Sequence, residues 1–337
     1  MRVGITYNLK RNALKDPPDA EAEFDDAGTI DAIRSALEDS GYGTELYEAD
    51  KSLPSRLSED PPDIVFNIAE GMNGRGREAQ VPALLSYLGI PYTGSDETSM
   101  CVALDKSLTK KLLTLYGVPT PKFTLVNPAN RVFAGGLTYP IIVKPNAEGS
   151  GKGISGVSVV SGADGLHFAL DEAVRVYKQD MLVEEFIEGR EFTVGILGNG
   201  ARRRVFQPME IIFRDASDSL YSFNTKRNFK EYVDYKCPPD LNAGKISELT
   251  DTAARIYDIL GCKDMARIDF RMDTEGRLYF IEINPLPGLA PGYSDYPMLA
   301  EFNGVGYNVL IRGILECALT RYGMRVCSQN NLYMDKQ

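Results

Sequence analysis

Residues 266–288 read ARIDFRMDTEGRLYFIEINPLPG. Both ARIDFRM and RLYFIEIN alternate apolar with polar residues, as half-buried strands do. The DTEG between them is a turn-forming cluster ending in glycine. A hairpin symmetric about Asp273–Gly276 places Arg267 opposite Glu282 and Asp269 opposite Phe280. Residues two apart on a strand share a face. One face then carries Arg267, Asp269, Glu282 and Asn284, and the other carries Ile268, Phe270, Ile281 and Ile283, which read as core. Two carboxylates and an amide oxygen form the all-oxygen set that Mg²⁺ prefers, with water and phosphate oxygens completing its shell. The second strand runs into Asn284-Pro285-Leu286-Pro287-Gly288, a rigid turn that brings backbone N–H groups beside such a metal.

Upstream, YPIIVKP (139–145) is an apolar strand ending in Lys144, and EGSGKG (148–153) follows it. The segment lacks the G-x4-G-K-[ST] spacing and lies between two strands instead of at a helix start, so it is not a P-loop. Gly149, Gly151 and Gly153 still let backbone N–H groups approach an anion, and Ser150 and Lys152 add donors. The glycines alone would equally suit a plain hairpin. Lys144 tilts the reading toward an anionic ligand, because a lysine at the end of a buried strand needs a counter-charge. In LVEEFIEGREF (182–192), Glu184 or Glu185 with the following backbone could read an adenine edge, and Glu191 could accept two ribose hydroxyls.

Further out, the first section alternates strands and helices. VGITY, TELYEA and DIVFNIA read as strands. Helices are expected from about Ala27 to Leu37, capped by Asp25 or Asp26, and from Val81 to Leu88. This pattern predicts a parallel sheet with ligands at the strand carboxyl ends, where EGMNGRGREAQ (70–80) lies. A single helix is expected from Ser99 to Tyr116. Others are expected near 165–177, 245–260 and 306–322. Met181–Ile187, REFTVGILG and RRVFQPMEIIF read as strands, and Tyr221–Asp240 as a long polar, aromatic loop. The fold class is α/β, becoming α+β in the later sections. The expected divisions are 1–98, 99–188 and 189–325, with a tail at 326–337.

Composition narrows the function. The chain has 337 residues, 43% of them apolar, and a net charge of −10. That acidity argues against nucleic acid as a partner. No apolar run is long enough to span a membrane, and Met1–Leu9 lacks a signal-peptide pattern. Cys101, Cys237, Cys262, Cys317 and Cys327 form no CxxC pair and read as reduced, mostly buried thiols of a cytoplasmic protein. His167 is the only histidine and falls in a predicted surface helix, so histidine catalysis and a His-ligated zinc are poor fits.

The order of parts resembles the ATP-grasp superfamily, and most closely its D-alanine–D-alanine ligase family. The resemblance runs from about Val3 to Tyr322. It rests on IPYTGSD with the DKSLTK helix, VKP with its glycine loop, VEEFIEGREF, Lys226 in an aromatic loop, RIDF and IEINPLPG. It implies an ATP-dependent ligase that joins two amino acids through an acyl phosphate, with ATP and two Mg²⁺ ions (or Mn²⁺) bound. A homodimer is compatible with it. Lys106, Lys144 and the backbone of Glu148, Gly149, Ser150 and Gly151 would contact phosphates. Glu184, Phe186 and Ile187 would hold adenine, Glu191 the ribose, and Lys226 the γ-phosphate from a closing loop. Asp269, Glu282 and Asn284 would hold the metals. Arg267 and the Gly288 N–H would stabilise an oxyanion, with Ser150 and Ser294 near the acceptor. The chain departs from the family pattern on the substrate side. Glu70-Gly71 replaces a His-Gly pair, Arg227 replaces a Tyr, Glu23-Phe24-Asp25 only approximates a Glu-Val-Ser segment, and Asp295 follows Ser294. The simplest implied activity is D-alanine–D-alanine ligation; the alternative, to which these departures point, is a ligase for other amino acids or peptides, with an acceptor or donor larger or more polar than D-alanine. The rival readings are a kinase on the same fold and an ATP-binding protein without turnover.

Overall fold

The computed structural model describes residues 1–11, 21–129, 133, 135–149, 159–214 and 232–326. The chain opens on β1 (Arg2–Tyr7), α1 (Ala27–Glu38), β2 (Gly43–Glu48), α2 (Leu53–Glu59), β3 (Ile64–Asn67) and α3 (Gln80–Leu88). The three strands form a parallel sheet in the order β2-β1-β3. Of the two candidate caps, Asp26 is the one used: its side chain accepts from Thr29 N at 2.8 Å. Strand connections through helices leave the loops after β1 and β3 at the carboxyl edge.

The middle section carries α4 (Glu97–Leu104), α5 (Lys106–Leu115), β4 (Phe123–Val126), β5 (Ile141–Pro145), β6 (Val159–Val160), α6 (Ala163–Tyr177) and β7 (Met181–Glu185). The expected single helix at 99–116 is two helices. Asp105 leaves helical geometry, with ψ at 94°, and its carboxylate caps α5 by accepting from Leu108 N at 3.0 Å. Asn146 donates to the same carboxylate at 2.8 Å, so the break ties α5 to the end of β5. The strands form an antiparallel sheet in the order β4-β7-β5-β6.

The last section contains β8 (Gly189–Leu197), β9 (Arg204–Val205), β10 (Met209–Phe213), β11 (Val233–Lys236), α7 (Ala243–Ile259), β12 (Met265–Asp273), β13 (Leu278–Asn284), α8 (Asp295–Phe302) and α9 (Tyr307–Arg321). Its antiparallel sheet runs β11-β10-β8-β12-β13, with β9 also on β8. Leu249, Ala253 and Ile256 of α7 pack on Phe192, Val194, Ile268 and Phe270. That cluster covers one sheet face and leaves the opposite face of β8 and β12 for polar residues. The first and last sections share one core: Val3, Ile5 and Ile33 lie in the same cluster as Leu299, Ile311 and Ile314.

The hairpin's register differs from the symmetric expectation. Arg267 pairs with Asn284, Asp269 with Glu282, and Phe270 with Phe280. A β-bulge between Asp269 and Phe270 leaves Ile281 as the extra residue on β13. Phe280 thereby turns to the core side, edge-on to Phe270 with ring centroids 6.5 Å apart, while Ile281 is only half-buried. Among the described cysteines only Cys262 is buried, and Cys101 is exposed, against the expectation of mostly buried thiols. His167 is exposed, as expected from its helix. No helix among the described residues is long and apolar enough to cross a membrane.

Candidate active site

The bulge makes Asp269 and Glu282 a directly opposed pair. Thr193, the β8 neighbour of Asp269, donates to Asp269 Oδ1 at 2.7 Å. Arg267 grips the same carboxylate through Nε at 3.1 Å and Nη2 at 2.8 Å. Asn284 Nδ2 reaches Asp269 Oδ2 at 3.4 Å, and Lys106 Nζ lies 3.5 Å from Glu282 Oε2. The two acids, the Asn amide and the Thr hydroxyl form a hard-oxygen donor set, which fits Mg²⁺ chemistry. Burial opposes the charge on Arg267, yet Asp269 and Asp295 outweigh it and raise its pKa, so the guanidinium stays protonated.

A second cluster sits where the middle sheet meets α5. Lys144 Nζ is 2.5 Å from Glu184 Oε1, and Lys110 Nζ is 3.0 Å from Oε2. All three side chains are buried. Burial alone would raise Glu184, but the two lysines hold it below the ordinary carboxylate value. Burial pushes Lys110 down to about 8. Beside its 3.0 Å ion pair with Lys110, Glu184 Oε2 makes no other polar contact among the described residues. Lys106 reaches the Glu148 carbonyl. Sequence reasoning missed Lys110, although it follows Lys106 by four residues, one helical turn along α5 on the same face.

Arg271 was also missed. It continues the Arg267–Asp269 face of β12 and organises the segment after β7. Its Nη1 pairs with Glu191 at 2.8 Å, its Nε donates to the Ile187 carbonyl at 2.6 Å, and its guanidinium lies 4.6 Å from the Phe186 ring centroid. One arginine thus gathers Phe186, Ile187 and Glu191.

The third cluster joins the first section to the glycine loop. Glu23 accepts from Arg77 Nη2 at 2.7 and 2.8 Å and from Gly149 N at 2.7 Å. Arg77 also donates to the Ala147 carbonyl at 2.7 Å and lies 3.3 Å from Glu148. Gly71 must be glycine: its φ is 78°, and a Cβ there would lie 2.0 Å from the Arg77 carbonyl oxygen. Glu23, Glu70 and Glu78 each bring an oxygen within 4.8 Å of the others. Burial first, then the neighbouring Glu78 and Glu23, raises Glu70 well above the carboxylate range. Burial and Glu23 push Glu78 up to about 7.

Between these clusters lies a cavity of about 540 Å³ lined by Glu23, Asp25, Arg267, Gly288, Ser294 and Asp295 among others. Ser294 Oγ accepts from Ala290 N at 3.2 Å, and a Cβ on Gly288 would meet that oxygen at 2.8 Å. The structure therefore brings Glu23, Arg267, Gly288 and Ser294 to one cavity, with Lys106, Asp269, Glu282 and Asn284 beside Arg267. Lys144 and Glu184 form the neighbouring cluster. Glu70 meets Glu23 from the far side. Ser150, Gly151, Lys226 and Arg227 lie outside the described residues.

A family model described as D-ala D-ala ligase C-terminus matches residues 112–316. An uncharacterized protein of Sinorhizobium fredii, y4sG, is 34% identical over 300 residues, 87% of this chain and 88% of its own. A D-alanine–D-alanine ligase of Bordetella parapertussis is 33% identical over 288 residues, 85% of this chain and 88% of its own. Among solved structures, a D-alanine–D-alanine ligase from Bacillus anthracis complexed with ATP matches with a TM-score of 0.75 at 22% identity. That match covers 96% of this chain and 98% of the other.

Proposed function

The chain belongs to the D-alanine–D-alanine ligase family and has its ATP-grasp fold, and from that premise we propose that it is an ATP-dependent carboxylate–amine ligase acting on amino acids. The observation that carries this reading is the contact between Lys106 and Glu282. It joins the phosphate-side lysine of α5 to the acid pair beside Arg267, so the groups suited to a nucleoside triphosphate and to a tetrahedral acyl centre share one site.

The chemistry follows from charge. A carboxylate resists attack by an amine at neutral pH. When its oxygen takes the γ-phosphoryl group of ATP, ADP leaves and an acyl phosphate remains. The amine then attacks the carbonyl carbon, the C–N bond forms, phosphate departs and the nitrogen loses a proton. Asp269, Glu282 and Asn284 would hold two Mg²⁺ ions, or Mn²⁺, which when bound offset charge on the transferring phosphate oxygens. Lys106, Lys144 and the backbone at Glu148 and Gly149 would serve the phosphates, the Gly149 N–H exchanging its present partner Glu23 for a phosphate oxygen. Glu184, which the resemblance assigns to adenine, would turn its carboxylate to the adenine amino group while Lys110 and Lys144 balance its charge. Glu191, oriented by Arg271, suits the ribose hydroxyls. Arg267 and the Gly288 N–H are placed to receive the oxyanion of the tetrahedral step. The resemblance adds Ser150, Gly151 and Lys226 to the phosphate and acceptor side.

A second reading keeps this chemistry and changes the substrates. Asp295 standing 3.6 Å from Arg267 favours it, as does Arg227, whose guanidinium could pair with a substrate carboxylate. Phosphate release from ATP across single and paired D- and L-amino acids, with mass detection of products, separates the readings. A ligase releases phosphate and a condensed product together. A kinase yields a phosphorylated amino acid and no free phosphate. A pure ATP binder yields neither.

A further inference from the structure

The two lysines on Glu184 differ in what else they hold. Lys110 is fully buried on α5. Its Nζ lies 3.0 Å from Glu184 Oε2, donates to Thr120 Oγ1 at 2.9 Å and reaches the Phe280 carbonyl at 3.4 Å. An ammonium has three N–H donors, and these contacts take all of them. They tie α5 to β7 and to β13, the strand that carries Glu282 and Asn284. Lys144 projects from β5, where it stands opposite Leu182, two residues from Glu184 on β7. Its Nζ lies 2.5 Å from Glu184 Oε1, its one ion pair or hydrogen bond among the described residues. Its other N–H donors are open. β5 ends at Pro145 and leads into Glu148 and Gly149, so those donors lie on the side where the chain approaches a phosphate.

A buried carboxylate stripped of its partners is costly, and one fixed partner keeps it ionised and in place. Thr120 and Phe280 fix Lys110, so Lys110 is that partner. Lys144 can then lend its open donors to an anion without leaving Glu184 bare. We infer that Lys110 is a positioning residue for nucleotide binding: it anchors Glu184, so that Lys144 can be shared with the phosphates. The inference rests on the ligase reading, which gives Lys144 to the phosphates, and it adds a residue to that site. With Lys110 removed, Lys144 alone must balance the buried carboxylate. It is then drawn onto Glu184, and the phosphates lose its contact. With Glu184 also made neutral, nothing holds Lys144 back.

The test is a double-mutant cycle on the full-length protein. Calorimetry with Mg²⁺ and the non-hydrolysable β,γ-imido analogue of ATP gives affinity for the wild type, Lys110→Met, Glu184→Gln and the double variant. Lys110→Met should weaken binding about tenfold or more, the value of one hydrogen bond to a charged group. In the Glu184→Gln background the same substitution should weaken it by under about threefold, or strengthen it. A purely structural lysine would give equal losses in both backgrounds, and that result overturns the inference, as does unchanged affinity in Lys110→Met. If Lys110→Met does not fold, a crystal structure of the wild type with the same analogue and Mg²⁺ decides. Lys144 Nζ on a phosphate oxygen, with Lys110 Nζ still on Glu184, is the expected result. Lys110 withdrawn from Glu184, or Lys144 off the phosphates, overturns the inference. A wild type that binds no nucleotide removes the ligase reading and the inference together; nucleotide binding with equal losses in the cycle removes the inference alone.

Discussion

Replacing Glu184 by Gln removes the one carboxylate between two buried lysines. Lys144 and Lys110 lie 2.5 and 3.0 Å from it, and Lys110 is fully buried. Gln retains the shape and one acceptor but no charge. Breaking a buried ion pair from one side typically costs about 3–5 kcal/mol. Lys110 is already held at about 8 by burial, so forcing it neutral at pH 7 accounts for only about 1–2 kcal/mol of that, and the remainder comes from Lys144, left beside an uncharged group. At about 2–4 °C per kcal/mol for a chain of this size, the melting temperature should fall on the order of 10 °C. Nucleotide phosphates supply negative charge beside Lys144, so saturating ATP with Mg²⁺ should narrow the gap between variant and wild type. Differential scanning fluorimetry with and without nucleotide measures both effects. A loss under about 2 °C without ATP, well below the range just derived, would refute the reasoning that these lysines depend on Glu184.

Three further outcomes are expected. Glu282→Gln should cut turnover by about 100-fold or more and sharpen its Mg²⁺ requirement while the fold survives; near-normal rates at limiting Mg²⁺ would remove Glu282 as a metal ligand. The loop expected at 221–240 is shortened by β11, which pairs with β10; amide exchange across the 221–231 part should slow when ATP, Mg²⁺ and amino acid bind together, as a closing lid would, and equal exchange with and without ligands would rule that out. Glu78 is raised from 4.5 to about 7, so the folded state binds the extra proton, and stability is fully present below pH 4.5 and declines as pH rises toward 7, by on the order of 3 kcal/mol. Glu78→Gln should flatten that slope in urea titrations at pH 5 and pH 8, and an unchanged slope would count against it.

Much of this arrangement was legible in the sequence, and the misses have definite causes. The alternation in ARIDFRM and RLYFIEIN placed Arg267, Asp269, Glu282 and Asn284 on one face, and they share it. Their register was not legible, because a bulge adds one residue to one strand without leaving a composition signal. Without the bulge, Ile281 would stand opposite Asp269 in place of Glu282. The break at Asp105 was missed because apolar spacing continues through it; an aspartate inside a helical pattern was the available sign of a second cap. Lys110 and Arg271 each lay one repeat beyond a residue that was singled out. Their partners, Glu184 and Glu191, come from other elements, and only the folded sheets bring those together. The core shared by β1, α1 and α9 joins residues some three hundred positions apart, which local periodicity does not encode.

In the proposed reaction this chain makes an amide by way of an acyl phosphate. The direct measurement is oxygen transfer, using donor amino acid labelled with ¹⁸O in both carboxylate oxygens and following the products by mass spectrometry. Equal amounts of ADP, phosphate and condensed product are expected, with one labelled oxygen carried from the donor into the phosphate. ADP formed with no label in the phosphate, or label retained entirely in the donor while ATP is consumed, would contradict it.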